Sequence, residues 1–309
     1  MRAELVRDFG PPSAILPAEV PRPDAAEGQV LVRVNAAGVG PWDALIREGK
    51  SVVEIRLPVI LGSDFSGVVA GVGKGVTNFE IGEEVWGVTN EKFIGAYAEY
   101  ACASAKMIGR KPKSLNFLEA ASAPVVAVTA WQMLFEYARV SSGQVVLIHG
   151  AAGNVGAYAV QLAENAGIRA IATASERDAN YVRQLGADEV IDYRKVRFEN
   201  AVPPVDAVID TVGGEVRERS LRVLKPQGKL ISIASPIPDE VKRGYGDRAV
   251  FFLVDVSTER LKVLQDLFDK GNLHTDVGTV LPLEEARKAH EMLAGAPHER
   301  GKIVLQIAS

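Results

Sequence analysis

Three glycines spaced three residues apart indicate chemistry more clearly than any other feature of this sequence. They lie in the run Val145-Val146-Leu147-Ile148-His149-Gly150-Ala151-Ala152-Gly153-Asn154-Val155-Gly156, as G-x-x-G-x-x-G rather than the commoner G-x-G-x-x-G. Glycine lets the backbone approach a ligand closely, and the free N–H groups and positive dipole of a helix N-terminus attract phosphate. The pattern therefore predicts a cradle for the diphosphate of a dinucleotide, formed by Gly150, Ala152, Gly153, Asn154, Val155 and Gly156.

The segments on either side of this turn are the elements that such a cradle requires. Five residues of strand character end at His149, and the residues after the turn have helical periodicity. Val155, Ala159, Leu162 and Ala166 share one helical face, and Gly167 follows as a residue that ends a helix. Strand, turn and helix come in the order in which α/β proteins bind dinucleotides.

Further strands of the same type follow this unit. They are short and almost continuously apolar, as parallel strands covered on both faces are, and they lie at 168–174, 189–193, 205–210 and 229–234. A helix through Tyr181, Val182 and Leu185 separates the first two. The middle of the chain is therefore predicted to be a doubly wound parallel sheet.

The first third of the chain has a different pattern. Val30, Val32 and Val34 alternate with other residues, and short apolar runs separated by Gly, Pro and Asn follow, which predicts a compact, barrel-like β-rich unit. After Ser235 the sequence predicts a Pro/Gly-rich loop, an apolar run at 251–254 and a helix that places Leu261, Leu264, Leu267 and Phe268 on one side. The last strand, 301–307, is expected to pair back into the β-rich unit.

Composition limits the class of protein. The chain has 309 residues, 47% of them hydrophobic, and 35 Lys and Arg against 39 Asp and Glu, for a formal charge of -4. This length allows two domains, and the charge argues against nucleic acid or an acidic membrane as the main partner. The sequence shows neither a signal peptide nor an apolar run of bilayer-spanning length, so a cytoplasmic location is expected. Cys102 is the only cysteine, which excludes an intrachain disulfide and a thiolate metal cluster.

Several motifs together resemble a known family along almost the whole chain. The chain resembles the zinc-free medium-chain dehydrogenases/reductases of the quinone oxidoreductase (zeta-crystallin-like) group. The motifs are A-G-V-G-P-W-D at 37–43, P-V-I-L-G-S-D-F-S-G at 58–67, G-E-E-V-W-G at 82–87, Y-A-E-Y at 97–100, T-A-W at 129–131, L-G-A-D at 185–188, D-T-V-G-G at 210–214 and G-K-I-V-L at 301–305.

The resemblance implies the domain organisation and the cofactor. A GroES-like substrate domain is expected from residues 1–123 and 266–309, and a Rossmann domain from residues 124–265, with NADPH and the substrate meeting at one site. The resemblance also implies a homodimer that forms through Rossmann sheet edges. The apolar run Val250–Val254 is predicted to be such an edge.

The resemblance also bears on metal binding. Zinc-dependent relatives carry a Cys in the segment that reads Val39-Gly40-Pro41 here and a His in the one that reads Leu61-Gly62-Ser63. Neither ligand is present, and the four histidines form no pair at metal-ligand spacing, so no zinc is predicted. His149 is expected to be a core residue or a residue that supports the site without binding a metal. Without a metal, the expected reaction is hydride transfer to an acceptor that is already electron-poor, a quinone or an α,β-unsaturated carbonyl compound.

The choice between NADPH and NADH depends on the end of the second Rossmann strand, Thr173-Ala174-Ser175-Glu176-Arg177. The small Ser175 leaves room for a 2′-phosphate and Arg177 can bind it, although Arg177 can equally be a solvated residue at a helix start. The resemblance adds Tyr193 as a phosphate contact. Glu176 points the other way, because a carboxylate facing the ribose favours NAD. The prediction is NADPH.

The resemblance implies further contacts with the cofactor. Thr129 is expected under the nicotinamide, Thr211 and Val212 near the adenosine half, and Ser235 and Phe252 beside the nicotinamide ribose or amide. Phe251 and Phe252 can equally be core residues.

Around the substrate, Gly40 stands where relatives often have Asn, and Trp42 is predicted to line the pocket beside it. Asp43 is the catalytic candidate, and we expect it to orient the loop or the ribose rather than to transfer protons. The predicted partner is a small carbonyl or quinone substrate. Two alternatives stay open: an enoyl-thioester reductase, although the stretch Glu48–Val53 lacks the Tyr that such relatives use, and an NADPH-binding protein with little turnover.

Overall fold

The computed structural model describes residues 1–308, which form two compact units. One unit comprises Met1–Val125 together with the segment from Val256 onward, and the other comprises Val126–Asp255. The sequence-predicted boundaries lie at 123/124 and 265/266. The second of these would cut through the helix Thr258–Asp269.

The first unit is rich in β-structure. Its strands are β1 (Arg2–Val6), β2 (Ile15–Glu19), β3 (Gln29–Val39), β4 (Val59–Ile60), β5 (Asp64–Val72), β6 (Glu84–Val88), β7 (Tyr100–Ser104), β8 (Ile108–Arg110), β15 (Val277–Pro282) and β16 (Lys302–Gln306). Its helices are α1 (Pro41–Arg47), α2 (Phe117–Ser122), α8 (Thr258–Asp269) and α9 (Ala286–Leu293). Short 3-10 turns lie at Pro12–Ala14 and Leu283–Glu285.

Two sheets build this unit. The larger has the order β15-β16-β3-β5-β6-β8, with β7 also paired to β3, and the smaller has the order β2-β1-β4. β16 runs antiparallel to β3 and places Ile303 opposite Val39, so the predicted return of the last strand to the β-rich unit is confirmed. After Gln29, every residue of β3 except Arg33 is buried. α2 packs against the end of this strand, where a Cβ on Gly38 would lie 2.4 Å from the Ala121 carbonyl oxygen.

The second unit is an α/β sandwich. Its strands are β9 (Val145–His149), β10 (Arg169–Ala174), β11 (Glu189–Asp192), β12 (Val205–Asp210), β13 (Leu224–Ser232) and β14 (Ala249–Phe251). Its helices are α3 (Pro124–Trp131, which begins two residues before the unit), a π-helical segment (Gln132–Ala138), α4 (Asn154–Asn165), α5 (Ala179–Gln184), α6 (Gly214–Ser220) and α7 (Asp239–Tyr245). Short 3-10 turns lie at Glu176–Asp178, Phe198–Asn200, Leu221–Val223 and Gly246–Arg248.

All six strands of the second unit are parallel, in the order β11-β10-β9-β12-β13-β14. The predicted doubly wound sheet is therefore confirmed. The chain moves outward from β9 first to one side and then to the other. In such sheets ligands bind beyond the carboxyl end of the strand where the order reverses, and β9 ends at His149, immediately before the glycine turn.

Two local predictions after β13 were wrong. The last strand of the parallel sheet is Ala249–Phe251 rather than the predicted Val250–Val254. The segment predicted to be a loop after Ser235 contains α7. The negative charges of Asp239 and Glu240 favour the start of this helix, and it ends at Gly246, whose φ is +53°. The prolines before the helix and the glycine after it gave the segment a loop-like composition.

Across residues 1–308, no helix combines the length and the hydrophobicity that crossing a bilayer requires.

Candidate functional site

The turn between β9 and α4 is so tight that two of its glycines have no room for a side chain. Gly150 has a φ of +67°, and a Cβ there would lie 2.3 Å from Thr211 Oγ1. A Cβ on Gly156 would lie 2.2 Å from the carbonyl oxygen of Gly150. α4 begins at Asn154, and the preceding Gly153 has no side chain to cap it. The first N–H groups of α4 therefore suit an anion such as the diphosphate of a dinucleotide.

His149, the last residue of β9, directly precedes this turn and is fixed by two side-chain hydrogen bonds. Its Nδ1 lies 3.0 Å from Thr173 Oγ1 and its Nε2 lies 2.8 Å from Ser220 Oγ. The Ser220 hydroxyl donates to the Val216 carbonyl oxygen, so it accepts from His149 Nε2–H and leaves Nδ1 to accept from Thr173. Burial lowers the pKa of His149 to about 4. His149 is thus a neutral core residue.

A loop after β12 borders the turn. The Thr211 hydroxyl donates to the carbonyl oxygen of His149 over 2.8 Å, and Val212 is 52% exposed beside it. Asp210 Oδ1 accepts the N–H groups of Val212 and Gly213 at 3.0 and 2.8 Å. Asp210 is completely buried and fixes this loop. The sequence prediction did not include Asp210 among the site residues, although an Asp that ends a strand and precedes Thr-Val-Gly-Gly is the usual signal for such a turn.

Ser235 lies on the other side of the same loop. A Cβ on Gly213 would lie 3.6 Å from Ser235 Oγ. The buried Arg217 donates to both the hydroxyl and the carbonyl oxygen of Ser235 at 2.9 Å. The structure thus brings the predicted Thr211, Val212 and Ser235 together around the turn, and adds Arg217 as the residue that positions Ser235.

Thr129 and Phe252, the remaining predicted nicotinamide contacts, are both buried in the second unit. Thr129 lies in α3. The Phe252 ring stacks on Tyr137, with the ring centroids 4.2 Å apart. This stacking agrees with a core role for Phe252, and its contact with the cofactor stays a prediction.

The tips of β10 and β11 bring the predicted phosphate contacts to one edge of the sheet. Ser175 follows β10, and its hydroxyl donates to Asp178 Oδ2 over 2.6 Å. Arg177 is exposed in the turn between them. Tyr193 follows β11, donates its backbone N–H to the Ala174 carbonyl oxygen and is 54% exposed. Ser175, Arg177 and Tyr193 thus lie at neighbouring strand ends.

Lys195 and Arg194 bring positive charge to the same edge, and the sequence prediction missed both. Lys195 Nζ lies 2.7 Å from Glu176 Oε2, which reduces the repulsion that this carboxylate would exert on a phosphate. The Arg194 guanidinium lies 5.7 Å from the centre of the Tyr193 ring. The signal was the basic pair directly after Tyr193 in Tyr-Arg-Lys.

In the first unit, Asp43 fixes the start of α1. Gly40 precedes this helix, and its N–H donates to Asp43 Oδ2 over 2.8 Å. The same oxygen accepts the Tyr97 hydroxyl at 3.1 Å. Asp43 is completely buried. Burial raises its pKa to about 7, against the opposing effects of the Gly40 hydrogen bond and the Lys302 charge.

A chain of hydrogen bonds continues from Asp43 into the core. Arg47 Nη1 lies 2.9 Å from His290 Nδ1. Arginine is always a donor, so Nδ1 must accept and the proton lies on Nε2. Nε2 lies 3.5 Å from the Tyr97 hydroxyl oxygen, which donates onward to Asp43. Burial and the Arg47 charge lower the pKa of His290 to about 3, so this imidazole stays neutral.

Trp42 lies beside this chain of hydrogen bonds and has its own set of partners. Its indole Nε1–H donates to Ser63 Oγ over 2.9 Å, and Lys302 Nζ lies 4.3 Å from the centre of its ring. Lys302 also pairs with the completely buried Asp64 at 3.2 Å. The predicted substrate residues Gly40 and Trp42 thus adjoin a buried ion pair that joins β5 to the last strand.

Comparisons with known proteins place the chain in a family. Residues 26–113 match the alcohol dehydrogenase GroES-like domain family, and residues 185–305 match the family described as zinc-binding dehydrogenase. The quinone oxidoreductase of Sus scrofa is 32% identical over 322 residues, which cover 99% of this chain and 97% of that protein. This chain belongs to the quinone oxidoreductase family of medium-chain dehydrogenases/reductases.

Two further matches agree with this assignment to the quinone oxidoreductase family. The solved structure of the quinone oxidoreductase from Coxiella burnetii has a TM-score of 0.92 and 37% identity, and the match covers 99% of each chain. The chloroplastic NADPH-dependent alkenal/one oxidoreductase of Arabidopsis thaliana is 31% identical over 316 residues, covering 99% of this chain and 79% of that protein. As a member of this family, the chain is an oxidoreductase.

This quinone oxidoreductase family member has few donors at the positions where zinc-dependent relatives hold a metal. Gly40 has no side chain, and the Ser63 hydroxyl already accepts the indole N–H of Trp42. Within residues 1–308, no three His, Cys, Asp or Glu side chains come together as metal ligands would. A catalytic zinc site needs three such ligands and an open position, so this donor set does not fit zinc.

Proposed function

We propose that this chain reduces quinones or α,β-unsaturated carbonyl compounds with hydride from NADPH, without a metal, and that it does so as a cytoplasmic homodimer. The observation that carries the proposal is the turn of Gly150 and Gly156, where a side chain would overlap the backbone or Thr211. Such a turn at the head of α4 fits a dinucleotide diphosphate. The acceptor class follows from the relatives, whose names include quinone oxidoreductase and alkenal/one oxidoreductase.

The choice of NADPH rests on charge at the tips of β10 and β11. Arg177, Arg194 and Lys195 bring three cations to the edge that carries Ser175 and Tyr193. Glu176, the residue that favours NAD, is paired with Lys195. The edge therefore suits a ribose that carries a 2′-phosphate better than one that carries a free hydroxyl.

Bound NADPH supplies the hydride. The protein holds the acceptor near Gly40 and Trp42, and the electron-poor C=C or quinone ring accepts the hydride without Lewis-acid activation. The enolate or hydroquinone anion that forms then takes a proton. We assign this proton to water, because Asp43, Tyr97 and His290 are completely buried and hydrogen-bonded to one another. The role of Asp43 is then to hold the backbone of Gly40 in place.

The test is NADPH oxidation by the purified protein with a panel of quinones, short enones and enoyl thioesters. We expect turnover with quinones or enones, undiminished after dialysis against a chelator, with no zinc found by elemental analysis. Tight NADPH binding without turnover of any acceptor would contradict the proposed enzymatic activity. Preference for enoyl thioesters would reassign the substrate, and activity that a chelator removes and zinc restores would refute the metal-free reaction.

A further inference from the structure

The indole of Trp42 occupies the space that a side chain at position 40 would need. A Cβ on Gly40 would lie 2.3, 2.4 and 2.5 Å from Cζ2, Cη2 and Cε2 of Trp42. Gly40 has a φ of -132° and a ψ of 162°, an extended conformation that any residue adopts. Space taken by the ring, and not backbone strain, is therefore what requires glycine at position 40.

Two polar groups contact this ring, and a buried carboxylate holds one of them. The hydroxyl of Ser63 accepts the indole N–H, and the Lys302 ammonium lies 4.3 Å from the ring centre. Lys302 is buried and pairs with Asp64, whose other carboxylate oxygen accepts the Val125 N–H at 3.0 Å. A cation held over an indole away from water is attracted by the face of the ring. The partners come from separate segments of the fold, so the ring has little freedom to move aside.

We propose that Trp42 sets the width of the acceptor and restricts the enzyme to single-ring quinones and short enones. This inference rests on the proposed function, in which the acceptor lies beside Gly40 and Trp42. Trp42 is only partly buried, so this residue stays accessible to a ligand although its ring is held by Ser63 and Lys302. A side chain that is closely packed and held by polar contacts cannot move aside for a larger ligand as a mobile loop residue can. A fused second ring on the acceptor then meets the indole.

The first test replaces Trp42 by Ala and by Phe. The measured quantity is the ratio of kcat/KM for naphthoquinone to kcat/KM for benzoquinone, two acceptors of the same chemistry that differ by one fused ring. Because pocket size discriminates by about 10-fold or more for small changes in bulk, we expect Trp42→Ala to raise this ratio about ten-fold. Trp42→Phe should raise it less and keeps an aromatic ring in the fold. Leu45→Ala, on the exposed side of α1, is the matched control and should leave the ratio unchanged.

The second test uses the overlap between positions 40 and 42. Gly40→Ala should displace the indole, shift the ratio and alter the tryptophan fluorescence. In a Trp42→Ala background the same Gly40→Ala change should have no further effect, because the overlapping ring is gone. Equal effects of Gly40→Ala with and without Trp42 would overturn the proposed contact.

The outcomes separate this inference from the function on which it rests. If none of the acceptors supports NADPH oxidation by the wild-type protein, the proposed function fails. The affinities of the wild-type protein and the variants for the two quinones, measured by calorimetry, then test the role of Trp42 without turnover. If the wild-type protein turns acceptors over and the ratio is the same in Trp42→Ala and Trp42→Phe, the function stands and the role of Trp42 is overturned.

Discussion

The Tyr97 hydroxyl donates to Asp43 Oδ2 across 54 positions of sequence, and this same carboxylate oxygen accepts the N–H of Gly40. One buried oxygen therefore joins the loop before β7 to the first turn of α1. The tyrosine in turn lies against His290 and, through it, Arg47. The residues at the predicted substrate position are thus held from inside the core of the first unit.

Removing the Tyr97 hydroxyl should weaken this connection. Tyr97→Phe keeps the ring but leaves His290 Nε2–H without its acceptor and Asp43 Oδ2 with one donor fewer. Losing a buried partner costs about 1–3 kcal/mol, so the thermal unfolding midpoint should fall by several degrees. Tyr100→Phe, in which the ring remains beside Arg22, is the control. Equal midpoints for the two variants would show that the hydrogen bond contributes nothing.

The pH dependence of stability should reveal the buried Asp43 carboxyl. Its pKa is raised from 3.8 to about 7 in the folded state, so between these pH values the folded protein keeps a proton that the unfolded chain releases. Its contribution to the unfolding free energy therefore falls as pH rises from about 4 to 7, by at most about 1.4 kcal/mol per pH unit.

Asp43→Asn removes this titration and keeps the acceptor oxygen. The variant should become more stable relative to wild type as pH rises through this range, with little further change above about pH 8. Comparing thermal unfolding of the two proteins across pH measures the difference. The effects of His149 and His290 are common to both and cancel. Parallel curves would mean that Asp43 titrates at its ordinary pKa.

Arg177→Ala should affect NADPH and NADH differently. An ionic hydrogen bond to the 2′-phosphate contributes about 1.5–3 kcal/mol, so the Kd for NADPH should rise about ten-fold or more while the Kd for NADH stays within about two-fold. Arg183→Ala, an exposed arginine on α5 that donates to Asn180, is the control. Tighter binding of NADH than NADPH by wild type, or an unchanged NADPH Kd in Arg177→Ala, would contradict the phosphate site.

Alanine substitutions at Gly150 and Gly143, two glycines with left-handed backbone conformations, distinguish the effect of backbone strain from that of steric overlap. Gly150 and Gly143 have φ values of +67° and +83°, but only at Gly150 does a Cβ meet another atom within 4 Å. Both alanine variants should lose about 1–2 kcal/mol from the backbone, and Gly150→Ala should lose more because Thr211 must move. Only Gly150→Ala should also weaken NADPH binding, as measured by fluorescence titration. Equal losses of stability and unchanged NADPH binding would argue against the tight turn as the cofactor cradle.

The predicted homodimer can be tested through the edge of the parallel sheet. β14 is the last strand in the sheet order and offers its free edge to a second copy. Sedimentation at micromolar concentration should give twice the chain mass of 33.1 kDa, and Val250→Pro should shift the protein toward monomer. A wild-type monomer under these conditions would count against the dimer.

The sequence determined those features that depend on local pattern. Apolar runs and helical periodicity predicted β9, the turn and α4, and the same kind of run predicted the parallel sheet and the return of the last strand. Local signals were less decisive where composition and structure disagree. The prolines and glycines around α7 suggested a loop. The predicted start and end of β14 were misplaced by one and three residues, because strand ends depend on the neighbouring strand.

Only the tertiary structure decided how the predicted residues are held. Lys302 and Asp64 pair across 238 positions, and no periodicity predicts such a contact. The sequence showed Glu176 as an argument for NAD, whereas the fold pairs it with Lys195. The sequence showed only that Gly40 lacks the Asn side chain of many relatives, whereas the structure shows that the Trp42 indole occupies the space a side chain there would need. Side-chain packing between distant segments depends on the closed fold, and that information is absent from any local stretch of the chain.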